Sequence, residues 1–398
     1  MRLTIVQYAG DYREAWERFE AGGKATYQAQ RYSVDFVGSL AKRLDAVTVV
    51  CAVTPEPYDI VLGNGVRAIG GGFTADFKSR ELVPIVADAR PDRLLLTTPI
   101  MPLLRWARRN RLQVATTLAD SFKKDRLRDA LRSRLLAREF NRSNVEWVAN
   151  HGIGACLSLV GIGVDPDKVI PWDWPPSHVP TDFSPREVRG SGELELLYVG
   201  LVVEAKGVGD LIRAVKRLQD EGRTVTLKII GKDPDVSMRD LTTALGVHGV
   251  EFAGLVPNQD VPAAMRAADA VVIPSRHDYP EGLPLTIYEA LATRTPIIAS
   301  DHPMFRGALA DGESALIFPA ADAGALASAI RRLAADRELY ATLSLNSERA
   351  WQALQLPVSW GAFIEKWLSG SRSDRDWLWD HRLASGLYGG QIAARAFA

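Results

Sequence analysis

Cysteine is scarce in this chain. Cys51 and Cys156 are the two in 398 residues, far apart and without metal-like spacing. That excludes a disulfide-stapled secreted scaffold and suits a reducing compartment. Charge of one sign is lacking too. Lys and Arg number 48 and Asp and Glu number 48, so there is no global pull toward nucleic acid or membrane. No apolar run approaches the roughly 18 residues that span a bilayer. The opening MRLTIVQYAGDYREAW turns polar after seven residues, so no signal peptide is expected. No metal-ligand cluster or D-x-D-type site stands out. The expectation is a cytoplasmic protein, long enough for two domains of roughly 150 to 200 residues.

What is present is regular alternation. From residue 193, short β-branched runs (LELLYVG, TVTLKIIG, VEFAG, DAVVIPS, TPIIAS, SALIFP) alternate with helical patterns such as VGDLIRAVKRLQDEG. Such spacing implies βαβ units and a parallel sheet. The first half alternates less cleanly, through RLTIVQ, AVTVVCAV, DRLLLTT, LQVATTL and VEWVAN. Between the halves lies PPSHVPTDFSPREVRGSG, where nine of eighteen residues are Pro, Ser or Gly, a linker composition. The expected organisation is a Rossmann-like domain at 1–174, a linker at 175–192, a second Rossmann-like domain at 193–354, and a helical tail at 355–398 packed across both. The fold class is α/β, two doubly wound domains facing a central cleft, with ligands at the carboxyl ends of the strands. In the tail, Trp360, Phe363, Ile364 and Trp367 recur at helical spacing, a packing stripe.

The stretch YPEGLPLTIYEAL places Glu281 and Glu289 eight positions apart, roughly 12 Å along a helix. Pro284 suits a first helical turn. The free amides near Leu283, Leu285 and Thr286 then suit a diphosphate. Glu289 is placed to accept ribose hydroxyls and Glu281 those of a transferred sugar. On spacing alone, two solvated helix glutamates fit as well. A second motif is LLYVGLVVEAKGVGDLIRAV, where a lysine and a glycine open a helix directly after a strand. Lys206 there is suited to neutralise a diphosphate; taken alone, it also reads as a surface cation.

The order of these pieces, Lys206 after the strand, then LKIIGKDPD, VEFAGLVP, ADAVVIPS, the E-x7-E pair and ALIFPAADAGALASAI, resembles the C-terminal domain of glycosyltransferase family 4, the retaining GT-B enzymes (glycosyl transferases group 1). The resemblance covers about residues 194–335. It implies a transferase that moves a sugar from a nucleotide-diphosphate sugar to a hydroxyl acceptor, in surface polysaccharide or glycolipid synthesis. It implies that Glu281 contacts the donor sugar, Glu289 the ribose and Lys206 the diphosphate. It implies further that Gly200, Gly282 and the backbone around Val256 line the nucleotide pocket. It also implies metal-independent chemistry with no cofactor beyond the donor. The first half resembles the family more loosely. Gly22 and Gly23 are similar to its glycine-rich loop after the first strand, where backbone approaches a phosphate or acceptor. VANHGIG places Asn150 and His151 at a strand end, His151 as a further catalytic candidate or a structural histidine. Two positions depart from the family pattern: Leu201 stands where an arginine is common, and Ala119 where a histidine precedes Asp120. Rival readings are a sugar-nucleotide epimerase or hydrolase, and a non-catalytic binding module.

Residues 105–142 hold twelve Lys or Arg against four Asp or Glu. Leu127, Leu131, Leu135 and Phe140 fall near one helical face, with Arg126, Arg128, Arg132, Arg134 and Arg138 around the others. This reads either as a solvated helix or as a contact with anionic membrane or a lipid-phosphate acceptor, at the inner face of the plasma membrane.

Overall fold

The computed structural model describes residues 1–122, 127–187, 193–234 and 236–396. The chain divides into two compact units. The first comprises Met1–Ala25, Ala29–Pro175 and Leu356–Gly389, and the second Thr26–Gln28, Pro176–Gln355 and Gly390 onward.

In the first unit, β-branched and leucine runs form β1 (Arg2–Gln7), β2 (Ala46–Cys51), β3 (Pro57–Val61), β4 (Arg67–Gly71), β5 (Arg93–Leu96), β6 (Gln113–Leu118), β7 (Val145–His151) and β8 (Val169–Trp172). Their order is β3-β4-β2-β1-β5-β6-β7-β8. All neighbours are parallel except the edge pair β3–β4. Leu3, Ile5, Val47, Val49 and Leu95 are buried on the faces the helices cover, as parallel sheets require. In the second unit, β9 (Leu194–Val199), β10 (Val225–Ile230), β11 (Val250–Gly254), β12 (Ala270–Ile273), β13 (Ile297–Ser300) and β14 (Leu316–Phe318) form an all-parallel sheet, β11-β10-β9-β12-β13-β14. Each sheet is built outward to one side of its first strand and then to the other. The order therefore reverses between β1 and β5, and again between β9 and β12. Loops leaving the carboxyl ends of such a strand pair diverge and leave a crevice for ligands.

Three sequence expectations change. The stretch read as a linker is anchored in the second unit up to its last described residues. Arg186 is buried and donates through Nη1 to the Ala268 carbonyl at 2.6 Å, and the Pro180 carbonyl accepts from Arg294 Nε at 2.8 Å. Residues 188–192 of that stretch lie outside the described residues. The tail is not one piece either. Helices Trp360–Ser369 and Arg372–Asp380 belong to the first unit, and Gly390 onward to the second. Finally, helix Tyr12–Glu20 directly follows β1, with Asp11 as its N-cap accepting from the Glu14 amide at 3.2 Å.

The tail's aromatic stripe is packing. Trp360 is 5% exposed, with the Phe36 ring 5.4 Å and the Trp174 ring 5.2 Å from its own. The Trp360 amide also donates to the Asp173 carbonyl at 3.0 Å, continuing the edge of β8. Truncating so large a buried ring removes both transfer energy and packing. Trp360→Ala should therefore destabilise the first unit by about 3–5 kcal/mol, read as a lowered urea midpoint. A loss below about 1 kcal/mol would mean the tail is dispensable to that core.

Candidate functional site

The second sheet's switch point holds the residues singled out around Lys206 and Glu281. β9 and β12 are neighbours, with Leu197 paired to Val271, so their following loops emerge side by side. After β9, the Gly200 amide donates to the Ile230 carbonyl at 2.9 Å and the Tyr198 hydroxyl to the Leu201 carbonyl at 2.7 Å. A single 3-10 turn, Glu204–Lys206, then ends at Gly207 with φ +74°. A Cβ on Gly207 would lie 2.0 Å from the Pro274 carbonyl oxygen, in the loop after β12. Glycine is thus required twice over, for left-handed backbone and for close approach.

That approach brings Lys206 to Glu281. Lys206 Nζ donates to Glu281 Oε1 at 2.7 Å and sits 4.6 Å from the centre of the Tyr279 ring. The Glu281 side chain is 5% exposed and that of Lys206 is 16% exposed. Burial raises the Glu281 pKa above the usual carboxylate range, and the Lys206 charge and hydrogen bond oppose the rise. Ser275 Oγ lies 3.5 Å from Glu281 Oε2. Glu281 is not on a helix, since its amide donates to the Tyr279 carbonyl at 2.8 Å in the segment before helix Leu285–Ala292. The helical rise of roughly 12 Å between the two glutamates therefore does not apply.

Helix Leu285–Ala292 starts at Pro284, whose N-cap position offers no side-chain acceptor to the first-turn amides of Leu285 and Thr286. Thr286 Oγ1 donates to the Val199 carbonyl at 3.2 Å, tying this turn to the end of β9. Gly282 is partly exposed and Leu283 is buried in the core. Glu289, one turn into the helix, accepts at Oε1 from Asn258 Nδ2 at 2.9 Å. Burial pushes its carboxyl up to about 7 against that hydrogen bond. Asn258 follows Val256, which is partly buried against the core after β11. The E-x7-E pair is thus two carboxylates in different environments, one ion-paired and one hydrogen-bonded to a neutral amide.

Sequence reasoning missed what holds these loops. Arg276, in the β12 loop, donates to Asp210 through Nε and Nη2 at 2.7 and 2.8 Å, and to Glu204 through Nη2. Asp210 is buried, in the first turn of the helix that follows Lys206. Arg213 joins Asp210 at 3.2 Å and Glu204 at 3.1 Å. The Arg276 amide donates to the Ala205 carbonyl at 3.1 Å. A guanidinium held by two carboxylates in this way is a rigid fork. It fastens the loop bearing Lys206 to the loop bearing Glu281. No sequence spacing links positions 210 and 276; only the β9–β12 neighbourhood does.

In the first unit the expectations fare differently. Gly22 and Gly23 do not follow β1 but terminate helix Tyr12–Glu20, their amides donating to the carbonyls of Phe19 and Arg18. His151 is buried at the end of β7, with Nε2 2.9 Å from Asp173 Oδ1 and its ring on Trp172. That is the setting of a structural histidine bridging β7 to β8. Asn150 is equally internal, donating to the Asp120 carbonyl at 3.0 Å and accepting the His151 amide. Asp120 has its pKa raised by burial, and Ala119 is exposed. Of the basic segment, Arg105 and Arg108 pair with Glu139 at 3.6 and 3.4 Å. Arg126 and the side chains of Leu127 and Arg128 lie outside the described residues. On helix Leu127–Phe140, Leu136 and Phe140 face the core while Leu131 and Leu135 are exposed.

Residues 181–350 match the family model described as glycosyl transferases group 1. Among curated proteins, a phosphatidyl-myo-inositol mannosyltransferase of Mycobacterium leprae is 34% identical over 136 residues, 34% of this chain and 36% of that protein. The chain spans about a third to a half of the length of the curated relatives it matches. Among solved structures, the sucrose-phosphate synthase of Thermosynechococcus elongatus superposes with a TM-score of 0.69 at 20% identity, covering 93% of this chain and all of that one. Anabaena Alr3699/HepE, solved with UDP-glucose, gives 0.65 at 16% identity, covering 94% and 99%. At those identities the likeness concerns fold, the α/β GT-B architecture of two Rossmann-like units. Residues 181–350 therefore belong to the glycosyl transferases group 1 family, on a chain of GT-B fold.

Proposed function

We propose that the protein is a retaining, metal-independent glycosyltransferase. It takes a nucleotide-diphosphate sugar and passes the glycosyl group to a hydroxyl acceptor, in surface polysaccharide or glycolipid synthesis. The observation that carries this reading is the Lys206–Glu281 pair beside Glu289 and the uncapped start of helix Leu285–Ala292, all at the second sheet's switch point. The diphosphate lies at the helix start and draws on Lys206. Glu289 accepts the ribose hydroxyls, and Glu281 accepts hydroxyls of the sugar. The acceptor oxygen attacks the anomeric carbon on the face that the diphosphate leaves. The glycosidic bond forms as the sugar–phosphate bond breaks, and the acceptor proton passes to the departing phosphate oxygen. No enzyme nucleophile is needed. The protein supplies position and charge stabilisation, with Lys206 and the helix amides meeting the leaving group where Leu201 carries no charge. Supporting the substrate class, the matched relative is named a phosphatidyl-myo-inositol mannosyltransferase and a structural neighbour was solved with UDP-glucose. A thermal-shift screen against UDP, GDP, ADP and CMP sugars, followed by turnover with acceptors, tests it. Free sugar or an isomerised donor in place of transfer would replace this reading.

Two variants separate the paired residues. Lys206→Ala should lose more than about 10-fold in kcat/KM, since the leaving group loses its cation. Glu281→Gln should cut turnover while nucleoside diphosphate affinity is kept or tightened, because Lys206 is then released from its carboxylate. Full activity in Lys206→Ala, or a parallel loss of nucleotide binding in Glu281→Gln, would reassign the pair.

Glu289 gives a pH signature. Its carboxyl titrates at about 7 when buried, against 4.5 when free. Ribose hydroxyls donate to the ionised form, so nucleotide-sugar affinity should rise with pH up to about 7 and level off above it. The same shift makes a stability contribution that is full below 4.5 and falls as pH climbs through the folded value. Glu289→Gln should flatten the affinity profile, and Glu289→Ala should cost about 1.5–3 kcal/mol of binding. Calorimetry at several pH values reads both. An unchanged slope in Glu289→Gln would place the titration elsewhere.

The inner membrane face is the proposed place of action. Exposed Leu131 and Leu135 are set among the exposed Arg132, Arg134 and Arg138 on one helix. Each basic residue near an anionic surface is worth about 1 kcal/mol, fading within a Debye length. Sedimentation with phosphatidylglycerol vesicles should show binding at about 50 mM salt that fades toward about 300 mM. Arg134→Glu with Arg138→Glu should abolish it. Unmodified protein remaining in the supernatant at low salt would refute membrane contact.

A further inference from the structure

The first unit has a crevice of its own, at the carboxyl ends of β1, β5 and β6, and none of the roles given so far uses it. Tyr8 is the first residue past β1, Thr98–Met101 follow β5, and Phe122 follows β6. With Phe77 and with Arg132 and Leu136 of helix Leu127–Phe140, they enclose a pocket of about 420 Å³. This is the switch point of the first sheet, where doubly wound sheets take ligands, and the volume suits a small molecule.

Its walls say what kind. Phe77 is stacked between Phe73, 4.8 Å away at 5°, and Tyr8, 6.0 Å away at 26°. The Tyr8 hydroxyl donates its proton to the Ala75 carbonyl at 2.7 Å, so it has no proton left to offer a ligand. Phe122 is fixed by its amide, which donates to Ser158 Oγ at 3.1 Å. Ile100, Met101 and Leu136 extend this mostly apolar lining, to which Ser79, Thr98 and Ser133 add the hydroxyl-bearing side chains. Among the described lining residues one is charged, Arg132, which is exposed and has no ion-pair partner among the described residues. Among the described residues no carboxylate lines the pocket. Helix Met101–Arg109 also begins here, with Ile100 as an N-cap that offers no side-chain acceptor. A guanidinium and a helix start converging on one mostly apolar pocket make a place for an anion attached to a hydrophobic body. A purely polar glycan would leave the rings unmatched and the guanidinium idle.

We infer that this pocket receives the acceptor, and that the acceptor is a phosphate-bearing amphiphile whose apolar part packs on Tyr8, Phe77 and Phe122 while its phosphate meets Arg132. The inference rests on the glycosyl-transfer reading for the word acceptor, but not for the binding.

Calorimetry on the full chain tests it with octyl phosphate and 1-naphthyl phosphate as probes, and inorganic phosphate and octyl glucoside as controls. At least one phosphate amphiphile should bind one to one, with both controls about tenfold weaker or more. Arg132→Gln should cost about tenfold or more, as for a lost charged hydrogen bond. Met101→Glu, which favours its helix start while repelling an anion, should cost as much. Both variants should keep the thermal shift given by the nucleotide sugar, which reports the fold and the donor site. Preference for the octyl or the naphthyl probe identifies the apolar part as a chain or a ring. Equal binding of octyl glucoside, indifference to both substitutions, or displacement by a nucleoside diphosphate would overturn the inference. If no nucleotide sugar binds while the amphiphile binds through Arg132, the transfer reading falls and the pocket stands as an anion site alone. If the nucleotide sugar binds and neither amphiphile does, the reverse holds.

Discussion

The contact between Gly207 and Pro274 is the constraint on which the second unit's site depends. A side chain at 207 has no room, so the loops after β9 and β12 meet backbone to backbone. Lys206 and Glu281 are thereby brought within hydrogen-bonding distance although 75 residues separate them. A buried ion pair is a weak source of stability, because the desolvation of both charges offsets most of their attraction. Breaking it is another matter, since a lone buried carboxylate or ammonium would remain. The pair is better understood as a setting of geometry than as a fastening. The fastening lies beside it, in Arg276 with Asp210 and Glu204.

The same logic orders the rest of that edge. Thr286 ties the start of helix Leu285–Ala292 to the last carbonyl of β9. Asn258, from the loop after β11, fixes the orientation of Glu289. Each carboxylate is thus positioned by an element from a different strand, and all those strands end on one side of one sheet. Parallel pairing enforces this, because every strand end of the same polarity lies on the same edge. The first sheet repeats the topology with different chemistry at its switch point. Among the described residues it has rings and one arginine in place of paired carboxylates.

Much of the second unit was legible because its strands are short β-branched runs separated by amphipathic helices, and its motif residues sit at strand ends. Lys206, Glu281 and Glu289 could be named from local pattern and family resemblance. Their partners could not. Arg276 and Asp210 are ordinary charged residues in sequence, and only the crossover that places β12 next to β9 joins them. The first unit was harder to read. β3 is a short, exposed edge strand whose apolar residues are not buried, and helix Tyr12–Glu20 intervenes between β1 and the glycines taken for a strand-end loop. A lone histidine at a strand end, His151, is more often structural than catalytic, yet its position kept it a candidate for touching substrate. The buried Asp173 that captures it is 22 residues on, directly after β8, a strand the alternation did not reveal. The tail's tryptophans, by contrast, were recognisable as packing from their spacing alone.

Charge balance at the second unit's site has a consequence for the proposed reaction. Lys206 is neutralised by Glu281, and Arg276 with Arg213 by Glu204 with Asp210. This cluster therefore offers a diphosphate no surplus side-chain cation, and Leu201 supplies none. A bare phosphate that drew Lys206 away would leave Glu281 buried and unpaired, which is costly. A complete donor avoids that cost, because its sugar hydroxyls can donate to Glu281 as its diphosphate engages Lys206. Glu289, titrating near neutrality, adds a second carboxylate that gains from hydroxyl donors on the ribose side. Under the proposed reaction the arrangement would discriminate by completeness. Each part of the donor would relieve the desolvation that another part creates, so nucleotide and sugar should bind better together than the sum of their separate affinities.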